Sequence, residues 1–163
     1  MINALRAGAY GIPFIGVPGM FGSQLLEVRP DFFQVMKSPF NGEEVVAVPA
    51  LKPDWAVIHV HEADEEGNAR IFGSLFQDVL MTRAARKTIV TAERMVSPES
   101  FREAGGRTNI PHFMVAAVVE CPGGAAPGRC WPDYQTDDAG MKSYLQAVRG
   151  GKDALRDYLG KVR

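Results

Sequence analysis

Asp54-Trp55-Ala56-Val57-Ile58-His59-Val60-His61-Glu62-Ala63-Asp64-Glu65-Glu66-Gly67-Asn68, together with the block that follows it to Val96, decides the fold of this 163-residue chain. Trp55 to Val60 is apolar apart from His59, too short for a buried helix and β-branched enough for a buried strand. Asp64 to Asn68 reads as a turn: Gly67 and Asn68 tolerate positive φ, and the Asp64 and Asn68 side chains can bond the turn's own backbone. Leu75, Phe76, Val79, Leu80 and Ala84 recur at helical spacing, and Arg83, Arg86 and Lys87 gather where cations suit a helix C-terminus. Thr88-Ile89-Val90-Thr91 predicts a second strand. Strand, helix and strand within about forty residues make a parallel crossover unit of right-handed sense.

Composition sets the frame around this unit. Hydrophobic residues at 46% and charged residues at 23% are globular values, so residues 1–163 read as a single domain able to bury a core. A net charge of −1 and a pI near 6.3 give no electrostatic reason to expect nucleic acid or an anionic membrane as a partner. No apolar run approaches the roughly 20 residues of a membrane span. The N-terminus lacks a charged segment followed by an apolar one, which argues against a secretory signal. Cys121 and Cys130 are too few for a disulfide framework and too far apart for a redox pair. The expected compartment is the cytoplasm.

Toward the N-terminus, Ile2 to Ala9 reads as a helix, and its uncapped, partly apolar start suggests a chain that begins mid-domain. Pro13 to Val17 predicts a short strand, and Pro18-Gly19-Met20-Phe21-Gly22-Ser23 a turn open to close backbone approach by a ligand. Arg29 to Met36 reads as irregular, Pro39 to Glu43 as a turn and Glu44 to Val48 as a strand. Toward the C-terminus, Ser97 and Pro98 open a short helix that ends at Gly105-Gly106, and Phe113 to Val119 is a further buried strand. Cys121 to Gly128 is a loop, followed by helices over Met141–Arg149 and Asp153–Val162.

Several residues offer chemistry. His59 and His61 share one strand face, but a metal site needs a third ligand and no motif places one nearby, so no metal is expected. His61 is a candidate pocket wall, because open α/β sheets hold ligands at their C-terminal edge. Glu62, Asp64, Glu65 and Glu66 read as a turn solvated by its own charges. Glu93, just past the second strand, is either a polar pocket residue or an ion-pair partner of Arg94 or Arg102. Neither cysteine is tied to a histidine by any motif, and both read as packing residues.

A family resemblance rests on these same stretches. Ala63-Asp64-x-x-Gly67-Asn68, then Arg83-x-x-Arg86-Lys87-Thr88-Ile89-Val90-Thr91-Ala92-Glu93, resembles the A subunit of the family I coenzyme A transferases. The glutaconate type and its relatives, the ring-opening hydrolases of steroid-derived CoA thioesters, are the nearest in pattern. Pro39-Phe40-x-Gly42-Glu43, Pro49-Ala50-Leu51-x-Pro53-Asp54 and the loop Pro122-Gly123-Gly124-Ala125 extend the likeness. Two positions depart from it: Pro18 stands where kin carry an arginine, and Ala126 where they carry a histidine.

The resemblance implies an α/β fold with an open, mainly parallel sheet and flanking helices, of the CoA-transferase type but without its N-terminal half. It implies transfer of coenzyme A, as a substrate rather than a cofactor, between an acyl-CoA and a carboxylic acid. The glutamate that carries the thioester would come from a partner, the CoA-transferase B subunit; in the hydrolases it lies upstream of where this chain begins. No residue here is expected as the nucleophile. Gly19, Gly22 and Ser23 are the expected wall for the tetrahedral oxyanion, with His61 and Glu93 completing the substrate-binding set. One component of a ring-opening hydrolase and a non-catalytic remnant of the fold are the alternatives.

Overall fold

The computed structural model describes residues 1–103 and 107–161. Its organising unit is the predicted crossover. Strand β4 (Trp55–Ala63) and strand β6 (Lys87–Met95) run parallel from Trp55 beside Lys87 to Ala63 beside Met95, with helix α3 (Asp78–Ala84) between them in sequence. Strand β7 (Ala117–Glu120) adds in parallel to β6, and the two-residue strand β5 (Ala69–Arg70) pairs antiparallel with the end of β4. The order is β5-β4-β6-β7.

A strand's side chains alternate between faces. Ala56, Ile58 and Val60 of β4, with Val90 and Ala92 of β6, therefore point one way, into a core closed by Val79 and Met81 of α3 and by Ile110, Met114 and Val115. Ile110 is fully buried. The opposite face carries Trp55, Val57, His59 and His61, and beside them Lys87, Ile89, Thr91 and Glu93.

A second, antiparallel sheet precedes this one, in the order β1 (Phe14–Val17), β3 (Glu44–Pro49), β2 (Gln34–Lys37). Val46 and Val48 turn inward onto helix α1 (Ile2–Ala9), joined by Ile15, Val17 and Leu26 of the short helix α2 (Leu25–Val28). The mainly parallel sheet is thus accompanied by an antiparallel one. The difference arises at β2, read as irregular: all four of its residues are exposed, so it shows no alternation of apolar and polar positions.

Helix α1 ties the two sheets together. It packs on α3, accepts Leu51 N–H at its Ala4 carbonyl at 2.9 Å, and brings Gly8 against the Leu51 carbonyl. Helix α4 (Pro98–Glu103) follows β6, and α5 (Asp138–Arg149) and α6 (Lys152–Lys161) pack on each other.

Two boundaries move. Leu75 and Phe76 precede α3 instead of opening it, and Phe76 has φ 43° and is 85% exposed. The strand expected from Phe113 begins only at Ala117, because Pro111 leads into a single 3-10 turn over His112–Met114. The expected helix end at Gly105-Gly106 and residue Val162 lie outside the described residues.

Candidate functional site

The Asp64–Asn68 turn sets where β4 ends. Asp64 is fully buried, and its carboxylate accepts from Gly67 N–H, Asn68 N–H and the Asn68 side chain, each at 2.8 Å. The self-bonded turn is as expected, but the solvated acidic run is not. Glu62 is held by Arg70 at 2.6 Å and by Arg94 at 3.3 Å, and only Glu65 and Glu66 face water. The reason is tertiary: Arg70 of β5 crosses to Ser100 and stacks over the Phe101 ring, which draws Glu62 inward.

Past this turn, a polar network lies on the strand face opposite the core. Glu93 Oε1 accepts from His59 Nε2 at 2.6 Å and from the Tyr134 hydroxyl at 2.5 Å, while Oε2 accepts from Gly123 N–H at 2.7 Å. His59 Nδ1 meets the Thr91 hydroxyl at 2.9 Å. The Tyr134 hydroxyl accepts in turn from Ala125 N–H at 2.9 Å. Burial pushes the Glu93 carboxyl up, but the bonds from Tyr134, Gly123 and His59 outweigh it and hold the group below its ordinary value. Burial, then the bond to Glu93, pushes the Tyr134 phenol well above its ordinary value. Glu93 is therefore an anion anchored by three donors, and of its two readings the ion pair with Arg94 or Arg102 does not form. Arg94 goes to Asp133 and Glu62, and Arg102 to Glu99 and Glu66.

His61 has both nitrogens committed. Nδ1 accepts from Phe72 N–H at 3.1 Å and Nε2 donates to the Trp131 carbonyl at 2.6 Å, which fixes a neutral tautomer. The ring thereby joins the segment after β5 to the loop after β7. Between these two segments opens a cleft of about 700 Å³, walled by His59, His61, Phe72, Ser74, Phe76 and Asp78 on one side and Ala125, Arg129, Cys130 and Trp131 on the other. Burial pushes the Asp78 carboxyl up, and burial with the charges of Glu93 and Asp133 pushes the Cys130 thiol up. These effects favour the protonated form of the Cys130 thiol. The groups close enough to share a cation are His59, Glu93 and Cys130, and His61, Cys130 and Asp133. Every imidazole nitrogen in both sets is already hydrogen-bonded within the protein.

Of the expected site residues, His61 and Glu93 come together on one sheet face. Gly19, Gly22 and Ser23 lie at the end of β1 beside the antiparallel sheet and do not line this cleft. Their loop is strained at Met20, which has φ 78°, while Gly22 takes φ 76° freely, and the Ser23 hydroxyl accepts from Leu25 N–H at 3.2 Å. A smaller cleft of about 360 Å³ on that sheet, lined by Phe14, Phe32, Met36, Ala47 and Pro49 with Asp31 and Gln34, is mainly apolar. Tyr134, Thr91, Gly123 and Phe76 were not singled out by sequence reasoning. Phe76, Thr91 and Gly123 entered it only as parts of a predicted helix, a strand and a loop, with no role in a site.

Convergent polar groups at the C-terminal ends of parallel strands define a ligand-binding α/β protein. Its family follows from comparison: the sequence pattern of "Coenzyme A transferase" matches residues 1–121, and the chain belongs to that family. The A subunit of glutaconate CoA-transferase from Acidaminococcus fermentans is 39% identical over 163 aligned positions, which take in 91% of this chain and 51% of the relative. The crystal structure of glutaconate coenzyme A-transferase from the same organism superposes with a TM-score of 0.90 at 35% identity, over 98% of this chain and 55% of that one. The cholesterol ring-cleaving hydrolase IpdA subunit of Mycobacterium tuberculosis is 30% identical over 88% of this chain and 52% of the relative. The chain spans about half the length of these relatives. Among the described residues, no helix is long and apolar enough to cross a membrane.

Proposed function

We propose that this chain forms part of the A subunit of a CoA transferase that moves coenzyme A between an acyl-CoA and a carboxylic acid in the cytoplasm. The observation that carries the reading is the cleft between the segment after β5 and the loop after β7, whose mainly apolar walls also carry His59, His61, Asp78 and Arg129. Ser74 lines it, but neither neighbouring imidazole has a free nitrogen to serve as its base. Cys130 holds its proton. In this reading the covalent step falls to a glutamate of a partner B subunit, as the family resemblance implies, which takes CoA as a thioester and so divides one acyl transfer into two steps.

This chain's part is to bind and orient. Arg129 supplies positive charge at the cleft mouth for the substrate carboxylate or the CoA phosphates, and Phe76 and Trp131 offer apolar walls to the acyl group. Backbone N–H groups of Gly19 and Gly22 face the developing oxyanion from the other sheet once the partner closes the site, together with the hydroxyl of Ser23, whose own N–H is taken by the Met20 carbonyl. His61 and Glu93 hold the cleft's shape.

The test is exchange of CoA from acetyl-CoA to a free carboxylate, with this chain alone and with a candidate B subunit, and borohydride trapping of the enzyme thioester. Exchange and trapping only in the mixture are expected. Hydrolysis without exchange overturns the transferase reading in favour of the hydrolase one. Loss of neither binding nor exchange in Ser23→Ala and Gly22→Pro overturns the role of the loop.

A further inference from the structure

Glu93 is a buried anion without a cation. Its side chain is 7% exposed, and among the described residues neither lysine nor arginine pairs with it. Its donors are His59, Tyr134 and Gly123, none of which carries a fixed charge. Beside it stands Cys130, also buried, with its thiol pushed up by burial and by the charges of Glu93 and Asp133. A carboxylate and a thiol enclosed together favour a positive ion between them.

Along β4, His59 and His61 lack a third ligand, but the fold supplies one to each. A His59 nitrogen, a Glu93 oxygen and Cys130 Sγ lie within 4.8 Å of one another, as do the corresponding atoms of His61, Cys130 and Asp133. Zinc bonds of about 2.0–2.3 Å would set tetrahedral ligands about 3.3–3.7 Å apart, which modest side-chain rotations reach from this arrangement.

The groups behind the ligands decide between the two sets. An ion on Nε2 moves the ring proton to Nδ1, which must then donate. Behind His59 stands the Thr91 hydroxyl at 2.9 Å, which can turn from donor to acceptor. Behind His61 stands Phe72 N–H at 3.1 Å, a donor that cannot turn, and the Asp133 of that set is already held by Arg94 at 2.9 Å. Gly123 N–H and the Tyr134 hydroxyl meanwhile orient both oxygens of Glu93. The His59 set therefore has its supports in place, and the His61 set does not.

We propose that His59 Nε2, Glu93 Oε1 and Cys130 Sγ bind one divalent ion of the zinc class, with Thr91 as the positioning residue behind His59. The ion takes the place of the proton between His59 and Glu93, and that proton passes to Nδ1. The Cys130 thiol gives its proton to solvent, so each ion bound releases one proton and the site is neutral. His59 and Cys130 both line the cleft, so the fourth position opens to it and takes water or a carboxylate oxygen. Binding is read without turnover and does not rest on the transferase reading.

The test is titration of the chelator-stripped chain with cobalt(II), then with zinc(II). One cobalt per chain should bind with a thiolate-to-cobalt charge-transfer band, and one equivalent of zinc should displace it. Cys130→Ser should abolish the band, and His59→Gln and Thr91→Val should each weaken binding by about tenfold or more. Asp133→Asn and Cys121→Ser should keep the band; its loss in either places the ion elsewhere and overturns the assignment. X-ray absorption on the zinc-loaded wild-type chain needs no substitution and should show one sulfur among nitrogen and oxygen ligands. No cobalt band, a band that survives Cys130→Ser, or a shell with no sulfur or two sulfurs each overturns the proposal.

Discussion

Glu93 and Asp64 show how much one carboxylate can organise. Each is buried and each satisfies three donors, one set drawn from distant segments and the other from its own turn. Glu93→Gln should cost about 2 kcal/mol in denaturant unfolding, because an amide N–H would face a donor and leave it unpaired. The pH dependence has a definite sign. Glu93 binds its proton less readily folded than unfolded, so its contribution is complete above its ordinary value near 4.5 and is lost as pH falls below it. Wild-type stability should drop through that acid range, and Glu93→Gln should lack that part of the drop. Asp64→Ala strands three buried donors and should cost about 3 kcal/mol by the same measurement. The Asp64 turn is legible in sequence because all its partners lie within four residues. The Glu93 network is not, since His59 and Tyr134 stand 34 and 41 residues away and meet it only through strand register and a loop's return.

At the scale of elements, the crossover of β4, α3 and β6 could be read directly because its apolar residues keep one period over each stretch. The antiparallel β2 and the late start of β7 could not, because β2 is exposed throughout and Pro111 diverts the apolar run after it. Two glycines mark where elements touch. A Cβ on Gly124 would lie 2.7 Å from His59 Cε1 and 2.9 Å from the Cys121 carbonyl oxygen. Gly124→Ala should therefore lift the 121–134 loop from the sheet, cost about 2 kcal/mol, and raise KM for acyl-CoA in the assembled enzyme more than it lowers kcat. A Cβ on Gly8 would overlap the Leu51 carbonyl, so Gly8→Ala should separate α1 from the linker before β4 at a cost of about 3 kcal/mol in urea unfolding.

At the scale of the whole molecule, the cleft between the segment after β5 and the loop after β7 carries the functional reading. Its walls are fixed to each other by His61. Relatives of this chain are named as a transferase and as a ring-cleaving hydrolase, so the family alone does not fix the chemistry. The most direct measurement is amide hydrogen exchange on the chain mixed with a candidate B subunit, with and without acetyl-CoA. Slowing in residues 71–78 and 121–131 is the expected result. Protection confined to residues 14–49, or none while turnover proceeds, would contradict the placement of substrate in this cleft.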